Sequence, residues 1–422
     1  MVLRDASTAL SLTPFLGVVR LAETTHRDKT NTGMVMPRKR HPPARIGDAS
    51  NVQLTAINVE NKHPIDVDNM NKIVYIDSRS DLRYISSYLF TLLHTPGLKC
   101  RWNKSKFADL PNPGNDMRLI INDLGGEGGC LKVYVHTNDS YEIVPENYDW
   151  CDVYASVNAN FEHYPKADFP KLVSIVPSFA VRVYGPVGTL WYALRTLCMN
   201  WTSIWNRSEW SWTENKSVRK PITNLKKHLT RAMKSYTQRR PLAEYEKAMA
   251  VMPDYVFHVS TLWPSDEYNK NDENCNLRRA HFIRACKSIP QLCFEGGLVG
   301  NRPVFEDVKT QGVDFDTYIT KTKQSILAFN TPAYLNCHGW KLGEYLAMGK
   351  CIVSTKLHND LPCPLEHGVN VHFVEDGEEA MREAVAYIME HPEYRKKLEQ
   401  GAREYWKKYG NPTASLHLIG VL

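Results

Sequence analysis

A rhythm of short apolar runs separated by amphipathic stretches occurs twice along the chain, and it limits the fold more than any other feature. In the first half, MNKIVYID (70–77), DMRLIIND (116–123), CLKVYVHT (130–137), CDVYASVN (151–158) and LVSIVPSF (172–179) have the length and the branched or aromatic content of buried strands. SDLRYISSYLFTLLHT (80–95) carries its apolar residues at helical spacing. In the second half, DYVFHVSTLW (254–263), PQLCFEGGLVG (290–300), SILAFN (325–330), KCIVST (350–355) and VNVHFVED (369–376) alternate with helical stretches at 275–289, 314–323, 339–348, 377–391 and 393–408. Strand, helix, strand in that order demands right-handed crossovers and parallel strands. The second half therefore predicts a parallel sheet, and the first an open α/β sheet.

With 422 residues the chain exceeds one ordinary core. A hydrophobic content of 43% with 23% charged residues describes a folded protein. Residues 1–69 have little periodicity and are expected to be a disordered extension; PRKRHPPAR within them is taken as a solvated basic linker. The first α/β unit then covers 70–185, a basic aromatic linker or insert 186–252, the second unit 253–408, and a terminal helix 409–422. Two such units predict two Rossmann-like domains facing a central cleft.

Charge and cysteine content exclude several classes of protein. A net charge of +6 is modest for this length and does not point to nucleic acid. The ten cysteines include no CxxC pair and no histidine cluster stands at zinc spacing, so no metal is expected. Apolar runs fall short of the roughly 18 to 20 residues that span a bilayer. ALSLTPFLGVV near the start follows no basic segment, so a cytoplasmic protein is expected, peripheral at most on the inner face of the plasma membrane. One surface suits such attachment: KSVRKPITNLKKHLTRAMKSYTQRR (216–240) holds nine Lys or Arg and no acid, beside an aromatic-rich stretch, which fits an anionic membrane.

The chemistry concentrates in HGWKLGEYLAMGKCIVS (338–354). Ligands of a parallel α/β sheet bind beyond the carboxyl ends of its strands. SILAFN ends at Asn330, so Thr331 to Gly339 and the first turn of the next helix border that crevice. The free amides of the helix start favour phosphate, and Lys341 in the first turn adds a full positive charge that an anion would balance. Glu344 lies one turn further on, inside an otherwise apolar helix, where a carboxylate can accept hydrogen bonds from ribose hydroxyls. Gly349 is expected to end this helix in the left-handed conformation. The loop 355–368 follows on the same edge, with His358, Asn359 and Glu366 as further lining candidates.

Glu344-Tyr-Leu-Ala-Met-Gly349-Lys-Cys-Ile-Val resembles the donor-binding motif of GT-B glycosyltransferases, in particular the family 4-like enzymes that build capsular and cell-surface polysaccharides. The resemblance implies a GT-B fold with an acceptor domain at 70–185 and a nucleotide-sugar donor domain at 253–408. It further implies that Glu344 binds the nucleotide ribose, and that the last residues cross back to the first domain. The family's other Glu falls on Asn336, where glutamate goes with the retaining reaction. ILAFNTPAYLNCHGWKL is also similar to a stretch of inverting fucosyltransferases in which a Lys holds the donor diphosphate; that places Lys341 on phosphate and leaves the stereochemistry open.

Such a reaction releases a nucleoside diphosphate from the anomeric carbon, and its growing negative charge must be met by basic groups or amides. Candidates are Lys341, the amides of His338, Gly339 and Trp340, and Arg278 or Arg279; His338 is a further donor-binding candidate, and Thr331 and Asn336 lie on the same loop. No cofactor or metal is expected beyond the nucleotide-sugar co-substrate, and the acceptor implied is a glycan or a lipid-linked sugar. Asp77, His136, Asp152 and His163 are candidate general bases with no ground for choosing among them. Two other readings stand beside this one: a dehydrogenase or epimerase, for which the GxGxxG turn is missing after the first strand and from LGGEGG (124–129), and a non-catalytic glycan- or membrane-binding protein.

Overall fold

The computed structural model describes residues 72–123, 129–199, 221–263 and 272–422. The extension 1–69, the glycines of 124–128 and the aromatic-rich residues 200–220 lie outside the described residues.

The first unit is a six-stranded sheet of β1 (Lys72–Asp77), β2 (Leu98–Asn103), β3 (Met117–Asp123), β4 (Cys130–His136), β5 (Val153–Ser156) and β6 (Leu172–Ser174), in the order β2-β1-β3-β4-β5-β6. It is not wholly parallel, because β3 runs antiparallel to both β1 and β4. The reason is local: only residues 124–129 join β3 to β4, and so short a connection cannot make a crossover. β2 carries polar residues alternating with Leu98, Cys100 and Trp102, as an edge strand does, so it lacks the apolar run of its neighbours.

Helix α1 (Leu82–His94) starts at Asp81, whose carboxylate accepts the Arg83 amide at 2.9 Å, and it buries Ile85, Leu89 and Leu92. A short α2 (Pro145–Trp150) joins β4 to β5. The stretch expected to be a linker folds instead onto this unit. In α3 (Pro186–Met199) and α4 (Pro221–Thr237), Tyr192, Ala193 and Ala232 enter the same core as Val74, Leu119 and Val133. Leu416, Ile419 and Val421, on or just after α11 (Pro412–Leu418), complete that core, so the end of the chain lies on its first domain.

The second unit begins after α5 (Leu242–Glu246). Its strands β7 (Tyr255–Thr261) and β8 (Cys293–Val299) are parallel, as are β9 (Ala328–Asn330), β10 (Ile352–Ser354) and β11 (His372–Phe373). The two ladders meet where the Ile326 amide donates to the Tyr255 carbonyl at 2.8 Å. Around them pack α6 (Asp272–Lys287), α7 (Phe315–Gln324), α8 (Trp340–Met348), α9 (Glu378–Glu390) and α10 (Pro392–Tyr405), with Phe282 stacked on Phe329 at 4.2 Å in the core. Two Rossmann-like α/β units therefore face each other, the GT-B type of architecture.

Helix α8 is the element that joins them. Seven of its nine residues are buried, and Gly349 ends it in the left-handed conformation at φ 60°. Gly343 leaves no room for a Cβ, which would run into the Pro177 carbonyl of the first unit, so this glycine sets how closely α8 approaches the opposite domain. Hydrogen bonds then fix the two units: Asn158 Oδ1 accepts the His338 amide at 2.7 Å and Asn359 Nδ2 at 3.2 Å, and Asp360 accepts the Phe161 amide at 2.6 Å.

Candidate functional site

At the start of α8, Gly339 occupies the cap position with φ −73° and ψ 157° and supplies no side chain to the first-turn amides. Lys341 follows in the first turn. Its ammonium donates to the Val259 carbonyl and, at 3.0 Å, to Ser260 Oγ, both at the carboxyl end of β7. Arg279 on α6 reaches the same strand end and donates to the Thr261 carbonyl at 2.9 Å. Burial, and then the nearby Arg279, push the Lys341 ammonium down to about 7, with Glu344 acting the other way.

Glu344 is 7% exposed. Its Oε2 accepts the Tyr318 hydroxyl at 2.7 Å, while Oε1 accepts no hydrogen bond among the described residues. Burial raises this carboxyl, outweighing Tyr318, Lys341 and Arg239, which all favour the charged form. Arg239 comes from the end of the basic stretch and lies over Trp340 at 5.9 Å and Phe315 at 5.6 Å. Trp340 meets Tyr84 of α1 edge-on at 5.2 Å, so both domains contribute to this wall. One carboxylate thus stands among Lys341, Arg239 and, beside Lys341, Arg279.

The other expected residues fall at different distances from this centre. His338 is buried, held through its amide by Asn158, and its Nε2 has no hydrogen-bond partner. Burial lowers it to about 4, so it is a neutral imidazole at physiological pH. Thr331 pairs its hydroxyl with that of Thr355 at 2.9 Å across the ends of β9 and β10. Asn336 adopts the left-handed conformation at φ 58°, and its carbonyl accepts Asn359 Nδ2 at 3.3 Å. Arg278 is not brought to Lys341: its Nε faces Asp376 at 3.5 Å, next to His281. Adjacent helical residues point about 100° apart, and it is Arg279 that faces inward. Of the loop candidates, Asn359 forms an interdomain clasp, His358 is exposed, and Glu366 sits in an exposed turn where its amide donates to Asn370.

Of the candidate bases, Asp77 and Asp152 are bound to partners, whereas His136 leaves its Nδ1 without one. Asp77 is fully buried between Arg79 at 2.8 Å and Arg118 at 3.2 Å. His136 is buried, and Asp152 accepts the Lys132 amide at 2.8 Å. His163 packs on the Tyr141 ring at 4.8 Å. Removing the Asp77 carboxylate would leave Arg118 uncompensated in the core, so Asp77→Ala is expected to cost about 3–5 kcal/mol in urea unfolding. A change below about 1 kcal/mol would show that this pair is not structural.

A carboxylate that pattern reading passed over does face the site. Asp139 follows β4 in HTNDS, and solvent reaches its side chain although protein surrounds it closely. Burial raises its carboxyl above the ordinary range, and Cys337 Sγ lies 3.6 Å from its Oδ1. Cys337 also feels Arg279 electrostatically, so this thiol senses both Asp139 and one of the two cations. The available signal was its place at the carboxyl end of a buried strand.

Among the described residues no three His, Cys, Asp or Glu side chains cluster to hold a metal, and no helix is long and apolar enough to cross a membrane.

No family model and no curated protein matches the chain. Among solved structures it is similar to a glycosyltransferase from Rickettsia africae ESF-5, at 14% identity over 66% of each chain with a TM-score of 0.35. A second is TarM, at 13% identity over 41% of this chain and 36% of that one, TM-score 0.30. A third is S. aureus MnaA with UDP, at 9% identity over 81% and 91%, TM-score 0.32. The first two matches span less than two thirds of their counterparts, and at TM-scores below 0.5 none of the three bears on activity.

Proposed function

We propose that the chain is a glycosyltransferase that moves a sugar from a UDP- or GDP-linked donor to a glycan or lipid-linked acceptor of surface polysaccharide synthesis. The observation that carries this reading is the surplus of inward-turned positive charge at the start of α8, where Lys341 and Arg279 repel each other at one strand end and Glu344 is their near carboxylate. Like charges held together out of water call for a polyanion. A diphosphate supplies one, and the uncapped amides of Gly339 and Trp340 add to its binding.

In this reading the free Oε1 of Glu344 accepts from the ribose hydroxyls. Asp139 takes the proton of the acceptor hydroxyl as its oxygen bonds to the anomeric carbon. The bond from that carbon to the diphosphate breaks, and Lys341 and Arg279 hold the charge that departs. Attack opposite the diphosphate inverts the anomeric centre, which agrees with an amide at Asn336 in place of a carboxylate.

Glu344→Ala tests the donor assignment. Losing hydrogen bonds to a charged acceptor should weaken UDP or GDP by about 10- to 150-fold. Inorganic pyrophosphate should bind equally well or better, because a negative charge beside Lys341 is gone. Calorimetric titration of both ligands decides; equal losses for nucleotide and pyrophosphate would sink the ribose role.

A further inference from the structure

Helix α3 has two apolar faces, and among the described residues only one of them is covered. Thr189, Tyr192, Ala193 and Thr196 turn into the first core. On the other side Val187, Leu190, Trp191 and Leu194 are 81%, 54%, 67% and 43% exposed. Their spacing of three, four and seven residues makes one continuous stripe. Exposed large apolar groups scattered singly need no explanation, but four on one helix face do.

The charge carried by the two helices themselves is of one sign. Neither α3 nor α4 contains an acid, and Arg195 is exposed on α3 itself. On α4, which packs against α3, Met233 is 49% exposed and Arg231 and Lys234 also face solvent. Arg231 lies near enough to Tyr84 of α1 to act on it electrostatically, after Arg83, Asp81 and Asp139. Within the basic stretch 216–240, Arg240 pairs with Asp316 and Arg239 belongs to the site, while an exposed apolar stripe lies earlier, on α3.

We infer that the outer faces of α3 and α4 form a docking surface for an anionic lipid bilayer, with the α3 stripe entering the headgroup and acyl boundary and Arg195, Arg231 and Lys234 meeting the lipid charge. Tryptophan favours that boundary, and cations on helices that carry no acid complement it. A nucleic acid would leave the apolar stripe without a role, and a protein partner would not require cations on both helices.

The test uses the full chain and sedimentation with vesicles of phosphatidylcholine alone or mixed with phosphatidylglycerol. The wild type should sediment with the mixed vesicles and far less with the neutral ones, and salt should weaken it. Leu190→Glu/Trp191→Glu/Leu194→Glu should reduce binding roughly a hundredfold. Arg195→Gln/Lys234→Gln should cost about fivefold per cation, and only on anionic vesicles. Circular dichroism confirms folding, and the milder Val187→Ser/Leu190→Ser pair should show a smaller loss of the same kind. Wild-type protein that stays in the supernatant, or a triple variant that sediments like wild type, overturns the inference. So does a wild-type dimer that the triple variant splits with vesicle binding unchanged, since the stripe then belongs to a second copy.

Discussion

Lys341→Met should weaken UDP and GDP binding by about 10- to 150-fold and, at the same time, make the unliganded protein more stable. The two effects share one cause. The ammonium is held out of water beside Arg279, an arrangement that costs stability until an anion arrives. Its folded value of about 7 lies below the ordinary 10.5, so the unfolded chain binds more protons between those limits. Stability contributed through this group therefore rises with pH across that window and is lost as pH falls towards 7. The methionine variant should lose this pH dependence. Thermal melts between pH 7 and 9 check it, and a variant that binds nucleotide normally would remove Lys341 from the site.

The second large effect is expected at Asp139. Asp139→Asn keeps size and shape but cannot take a proton, so kcat should fall about 10²- to 10⁴-fold while nucleotide affinity stays at the wild-type level. The acidic limb of the kcat/KM profile, set in the wild type by a carboxyl raised above its ordinary range, should disappear. A structural role would instead move the melting temperature and donor affinity together. If the wild type transfers sugar and the asparagine variant keeps both rate and acidic limb, Asp139 is not the base, while the donor site stands on its own evidence.

How far the sequence carried depended on whether a feature was local. Helix α8 and its ending at Gly349 were legible because an apolar helix, a glycine and an apolar strand follow one another directly. The strand β2 was missed because an edge strand needs to cover only one face and its residues alternate. Helix α3 falls inside the stretch expected to be a linker because apolar residues on two faces obscure the helical period. The site was half legible. Lys341 and Glu344 lie one turn apart on one helix, but what they touch comes from far along the chain: Ser260 and Val259 for Lys341, Tyr318 and Arg239 for Glu344. Choosing Arg279 over Arg278 needed the rotation of α6, and finding Asp139 needed the opposite domain placed against Cys337.

The most direct measurement of the central claim is calorimetric titration of UDP and GDP into the full chain at pH 8, in buffers of different ionisation enthalpy. The account predicts that one of the two binds, and that binding takes up close to one proton because the diphosphate restores the charge of Lys341. No binding of either nucleotide, or binding with no proton uptake that Lys341→Met leaves unchanged, would contradict it.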